Sequence, residues 1–229
     1  MNAHWHIGEE DFFKDLERER KEFFAISRRR VLQKKDIVFF EEDSGNSCYY
    51  LETGVIKIFQ ITSSGKEPIF FLRRSGELFG LAEIMDGVKR KANAQALSPC
   101  IVHEVSRKAF EDYLANNYLA TRKVIQTLGR RLRYLGDVAG GLMVCDVGTR
   151  LAKLLAYLCH EYIPSEKGWR NPLTIPIKLT QEQLASMVGS CQQTVCELLK
   201  EYQAEGLINI QNRQITVTNP LRLLEAVEV

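Results

Sequence analysis

Apolar and polar positions follow two different rhythms along this chain. Between residues 31 and 110 the apolar positions come as short clusters: Ile37-Val38-Phe39-Phe40, Cys48-Tyr49-Tyr50-Leu51, Val55 to Ile61, Pro68 to Leu72 and Cys100 to Val105. These clusters are rich in β-branched and aromatic side chains, which suit a pleated surface, and they predict strands. Gly45, Gly54, Gly65 and Gly76 follow one another at intervals of 9, 11 and 11 residues and predict the turns between strands; Thr62-Ser63-Ser64-Gly65 is the clearest hairpin. The expectation is a compact all-β sandwich or barrel preceded by an N-terminal helical segment.

After Ser106, which reads as a helix N-cap, the rhythm becomes helical, with Phe110, Tyr113 and Leu114 on one side. Ile125, Leu128, Leu132, Leu135, Ala139 and Leu142 then recur at spacings of 3, 4, 3, 4 and 3. A strict repeat of about 3.5 residues makes a narrower seam than the stripe of a helix lying on its own domain. Pairing with a second copy is the preferred reading, and a helix packed on its own domain is the alternative. A further helix starts near Gly148 and carries Leu151, Leu154, Leu155 and Leu158, after which Pro164, Gly168, Pro172 and Pro176 interrupt regular structure.

Residues 178 to 217 are the most informative. Thr180 followed by Gln183 forms a capping box, Leu184 and Val188 make an apolar face, and Gly189 stops the helix. A second helix begins near Cys191 with Val195, Leu198 and Leu199 inward and Gln192, Gln193, Thr194 and Glu197 outward. Two helices joined through a glycine turn have the form of a helix-turn-helix, whose second helix enters a DNA major groove. Alternating runs on either side of Gln211-Asn212-Arg213 predict a small β-hairpin, or wing.

In this order the elements resemble the Crp/Fnr superfamily of transcription regulators over about residues 30 to 220. The motifs that carry the resemblance are Gly76-Glu77-Leu78-Phe79-Gly80 with Arg90 to Ala92 downstream, Asp146 to Ala152, and Thr180 to Ile208. The resemblance implies an α+β fold with an N-terminal, jelly-roll-like β-roll in residues 1–115, a dimerisation helix in 116–143 and a winged helix-turn-helix domain in 144–229. It implies a homodimer that binds double-stranded DNA, responds to a small-molecule effector in the roll and works with RNA polymerase. On this reading Ile125, Leu128, Leu132, Leu135, Ala139 and Leu142 form the dimer interface. Gln192, Gln193 and Glu197 face the bases; Thr180, Ser190, Thr194, Lys200 and Arg213 anchor phosphates. The effector site would comprise Gly80, Leu81, Glu83, Arg90, Lys91, Arg131 and Leu135.

Several positions depart from the family pattern. Members that bind cyclic AMP carry a glutamate where this chain has Leu81, a small hydroxyl residue where it has Lys91, and two hydroxyl residues where it has Leu135 and Gly136. Cyclic AMP is therefore not the expected effector. Lys89, Arg90 and Lys91 with Arg130, Arg131 and Arg133 suit a small anion instead. The alternative is a set of solvated cations with one salt bridge from Arg131 to Glu83 or Glu77. Members that read guanine place arginine at the positions of Gln192 and Glu197; glutamine suits adenine and glutamate suits cytosine, so an altered operator is expected.

Composition changes the picture in three places. The 229 residues carry a net charge of +2. From Val144 onward eight basic residues face nine acidic ones, which gives −1 there and leaves +3 on the first 143. Non-specific attraction to phosphate should then be weak, and the dimer must engage two half-sites. The six cysteines show no C-x-x-C pair, and none precedes Cys48 where iron-sulfur members carry theirs, so reduced thiols are expected. His4-Trp5-His6, His103 and His160 leave a haem-based gas sensor as an alternative, and the acidic C-terminal third leaves an interaction module without specific DNA binding as another. The longest uncharged stretch, Gln183 to Cys196, has 14 residues and cannot span a bilayer. With Glu9, Glu10 and Asp11 before any apolar run, no targeting signal is read and a cytoplasmic protein is expected. No Ser/His/Asp order, paired-carboxylate site or phosphate-binding glycine loop marks an enzyme.

Overall fold

The computed structural model describes residues 11–160 and 169–226. His4, Trp5 and His6 lie outside them, as does the side chain of His160. The chain forms two compact units, Glu9–Gly129 and one that holds Arg130–Val229.

In chain order the first unit contains α1 (Glu17–Ala25), β1 (Arg28–Leu32), β2 (Ile37–Phe39), β3 (Ser47–Thr53), β4 (Val55–Phe59), β5 (Ile69–Arg74), β6 (Leu78–Phe79), α2 (Leu81–Asp86), β7 (Asn93–Ala96), β8 (Cys100–Ser106) and α3 (Arg107–Asn116). The strands make two antiparallel four-stranded sheets ordered β1-β8-β3-β6 and β2-β7-β4-β5. In β3 the unbroken run Cys48 to Leu51 is buried on both faces, which explains why it does not alternate. Tyr49 and Leu51 join Phe39 and Phe79 inside the roll, whereas Cys48 and Tyr50 join Phe13, Phe23 and Phe110 under the helices. Ser106 caps α3 as expected, accepting from the Ala109 amide.

Three strands went unpredicted. Arg28–Leu32 opens with three arginines, yet β1 pairs with β8 in register and Arg30 Nη1 reaches Glu104 Oε2 at 3.3 Å. The short β6 pairs with β3, and β7 is made of small residues, Ala94 and Ala96, that fit beneath the sheet. Gly45 also differs from its expected role as a turn glycine. The left-handed residue of that loop is Glu42 (φ 69°), while a Cβ on Gly45 would stand 2.2 Å from the Val88 carbonyl. Close approach, not conformation, requires glycine there.

The long helix α4 (Tyr118–Val144) crosses the boundary between the units. The second unit continues with α5 (Val147–His160), β9 (Leu173–Thr174), α6 (Gln181–Val188), α7 (Gln192–Ala204), β10 (Ile208–Gln211), β11 (Gln214–Val217) and α8 (Pro220–Glu225). Leu151, Leu154, Leu155 and Leu158 of α5 are all buried. The predicted wing is a two-residue hairpin with Asn212 and Arg213 both at positive φ, and β9 adds a third strand to it. Among the described residues no helix is long and apolar enough to cross a membrane.

Candidate functional site

The helix-turn-helix is built from the predicted signals. Thr180 Oγ1 accepts from the Gln183 amide at 3.1 Å and Gln183 Oε1 accepts from the Thr180 amide at 2.9 Å, a reciprocal cap worth about 1 kcal/mol. Leu184, Ala185 and Val188 bury one face of α6, and Gly189 closes it in the left-handed region. Val195, Leu199 and Tyr202 bury the inner face of α7. Its outer face leaves Gln192, Gln193, Glu197 and Lys200 exposed, with Gln193 Nε2 donating to Glu197 Oε1 at 3.2 Å. Thr194 is half-exposed, and its hydroxyl meets Cys191 Sγ at 3.1 Å. That contact, together with backbone amides at the start of α7, holds the exposed Cys191 thiol below its ordinary pKa. Ser190 is half-buried in the turn and Arg213 is exposed at the tip of the wing.

Two side chains outside the reading face hold it in place. Arg150 donates from Nε to the Val188 carbonyl at 2.8 Å and from Nη1 to the Cys145 carbonyl at 2.6 Å, satisfying carbonyls at two helix ends. Tyr202 donates to the Gly148 carbonyl at 2.8 Å, and burial pushes its hydroxyl up to about 12. Neither role is signalled by spacing. The Asp146 to Ala152 motif marks the segment but not what its arginine touches.

In the roll, Gly80, Glu83 and Arg90 come together. Arg90 is 1% exposed. Its guanidinium donates to the Gly80 carbonyl at 3.0 Å, to Glu83 Oε2 at 3.1 Å and to the Ser47 carbonyl, and it lies 4.3 Å from the Phe39 ring centroid. Gly80 is at φ 72°, and a Cβ on it would approach Arg90 Nη1 to 3.0 Å, so the arginine is seated against bare backbone. Two expectations change here. Glu83 is engaged by Arg90 within the roll. Leu81 is part of the buried hydrophobic cluster under the helices. Lys91 is exposed, with its amide 3.5 Å from Glu83 Oε1 and its ammonium 4.0 Å from Glu42. Arg131 and Leu135 belong to the other unit, where Arg131 is half-buried and Leu135 is exposed.

His103 is a structural link. Its Nε2 lies 2.8 Å from Glu52 Oε2 and its Nδ1 3.1 Å from Ser27 Oγ, while the ring stacks on Phe24 at 4.3 Å. Both ring nitrogens are thus engaged with side chains of the first unit. The seam on α4 is mostly open: Ile125, Leu132, Leu135, Ala139 and Leu142 are exposed, and Leu128 alone packs partly against the first unit's core.

Comparison with known proteins matches residues 29–117 to a cyclic nucleotide-binding domain and residues 149–226 to a Crp-like helix-turn-helix domain. The chain is 30% identical over 189 residues to the global nitrogen regulator of Synechococcus elongatus, covering 81% of this chain and 83% of that one. The chain belongs to the Crp/Fnr superfamily of transcription regulators. A second Crp/Fnr relative, the CRP-like cAMP-activated global transcriptional regulator of Mycobacterium tuberculosis, is 26% identical over 186 residues, 81% of this chain and 82% of that protein. Among solved structures, the c-di-GMP-responsive global regulator CLP of Xanthomonas campestris superimposes with a TM-score of 0.72 at 22% identity over 89% of this chain and 99% of its own. That likeness concerns the Crp/Fnr fold.

Proposed function

We propose that this Crp/Fnr protein is a cytoplasmic, homodimeric regulator that binds a palindromic DNA site, responds to a small anionic effector other than cyclic AMP and acts on RNA polymerase. The observation that carries the reading is the outer face of α7, where Gln192, Gln193 and Glu197 are exposed while Val195, Leu199 and Tyr202 fix the helix from beneath. Such side chains have the hydrogen-bonding groups for base edges: amides for adenine N6 and N7, a carboxylate for cytosine N4. Thr180, Ser190, Thr194, Lys200 and Arg213, with the amides at the starts of α6 and α7, serve the phosphates. Dimerisation joins two α4 seams and sets the half-sites about 34 Å apart.

The roll gives the effector reading a specific form. Glu83 already neutralises Arg90, so an anionic effector must displace that carboxylate, and its binding energy is reduced by the pair it breaks. An effector that prefers one arrangement of the dimer then shifts the population competent to bind DNA.

Selection of bound duplexes from a random pool, with and without cell extract to supply the effector, tests both parts. The expected result is an enriched palindrome whose half-sites hold fixed adenine and cytosine positions opposite α7, with recovery that depends on extract. Failure to enrich any palindrome under either condition would sink the regulator reading and leave an interaction module; enrichment indifferent to extract would remove the effector.

A further inference from the structure

The unit that holds Arg130–Val229 contains a cavity of about 120 Å³ that the reading face does not use. Its walls come from α4 (Tyr134, Val138), α5 (Leu154, Tyr157), α6 (Val188) and α8 (Leu224), with Trp169 completing the lining. The rings of Tyr134 and Tyr157 lie 5.4 Å apart. This volume is comparable to the roughly 150 Å³ of a dry apolar cavity that admits one benzene ring. An apolar pocket with a few polar groups at one point is the usual form of a small-molecule site.

The charged residues in this lining are two basic ones, Arg150 and Lys153, and one acidic one, Asp137, a net charge of +1. Arg150 is committed through Nε and Nη1 to backbone carbonyls. Lys153 is not comparably held: its bond is to the thiol sulfur of Cys145 at 3.6 Å, a weak acceptor. Among the described residues no carboxylate forms an ion pair with it. An ammonium beside an apolar, aromatic-walled pocket gains most from a ligand with a flat apolar body and one negative end.

We infer that this cavity binds a small carboxylate with a single aromatic ring, the ring among Tyr134, Tyr157 and Trp169 and the carboxylate on Lys153. The same cavity is lined by Leu142 of the α4 seam and by Met187 and Val188 of α6. An occupant therefore bears directly on α4 and on the helix-turn-helix, at a site whose lining includes no residue of the roll.

The test uses the full chain with Trp5→Phe, which leaves Trp169 as the one fluorophore of its kind out of two. Benzoate, benzyl alcohol and acetate are titrated separately. The expected result is a saturable change in Trp169 emission with benzoate, binding of benzyl alcohol at least about tenfold weaker, and no response to acetate. Lys153→Met should lower benzoate to the level of benzyl alcohol while leaving benzyl alcohol unchanged, which also shows that the variant is folded. Ala156→Phe, filling the cavity from α5, should abolish both. No saturable change with benzoate, an equal response to acetate, or benzoate binding untouched by Lys153→Met would each overturn the assignment.

Discussion

Helices α4 and α5 are both laden with aliphatic side chains, yet the chain treats them in opposite ways. On α5, Leu151, Leu155 and Leu158 are fully buried. On α4, Leu132 is 72% exposed and Ile125 65%. Hydrophobicity does not separate the two; the period does. Leu151, Leu154, Leu155 and Leu158 make a stripe wide enough to face a core supplied by the same unit, whereas the α4 seam keeps to a narrow 3.5-residue repeat. The early part of α4 shows both patterns at once: Ala120, Val124 and Thr127 are buried while Ile125, one position round the helix, is left open. An exposed apolar row of this length marks an interaction surface, and in the proposed dimer the second copy covers it.

Substitutions at three positions would break or sharpen this contrast. Leu132→Glu should have the largest effect on assembly, halving the mass seen by sedimentation equilibrium while leaving each chain folded by circular dichroism; a dimer unchanged by it would refute the seam. Leu155→Ala should do the reverse, retaining the dimer but lowering unfolding stability by about 2–5 kcal/mol in urea, because a cavity is left in a filled core. The smallest effect lies at the corner between the two helices. Asp146 Oδ1 accepts from the Thr149 amide at 2.7 Å and caps α5, and this bond holds its carboxyl below the usual carboxylate range. Asp146→Ala should cost about 1 kcal/mol. With its folded pKa depressed, the charged cap stabilises fully above the ordinary carboxylate value and is lost as pH falls through the lower folded one. The urea midpoint should therefore drop more between about pH 5 and about pH 3 in the wild type than in Asp146→Asn, which keeps the cap oxygen but does not titrate. Equal drops would show that the charge contributes nothing at this exposed site.

Much of the candidate reading surface was legible in the chain itself. The Thr180–Gln183 box, the stop at Gly189 and the division of α7 into inward Val195 and Leu199 and outward Gln192, Gln193 and Glu197 stand where periodicity and capping put them, while Leu198, also read as inward, is only half-buried and Tyr202 takes its place in the buried face. These signals are local, and a few adjacent residues suffice to produce each. Thr194, read as outward, is half-buried, and its hydroxyl is engaged with the Cys191 thiol. The proposed effector site was legible as a set of charges but not as a geometry. Arg90 stood out in sequence; that Glu83, Gly80 and Ser47 already satisfy it did not.

By itself, then, the sequence determined the longer helices, the turns at Gly54, Gly65 and Gly76, and the apolar seam along α4, because each depends on spacing along one stretch of backbone. Only the tertiary structure decided which charges neutralise one another, that Arg28–Leu32 is a strand, that Arg150 serves helix ends and that Trp169 lines a cavity. Those outcomes join residues as far apart as Arg30 and Glu104 or Tyr134 and Leu224. What sets them is desolvation: a buried guanidinium must find acceptors wherever folding brings them, and no period in the chain records where that will be.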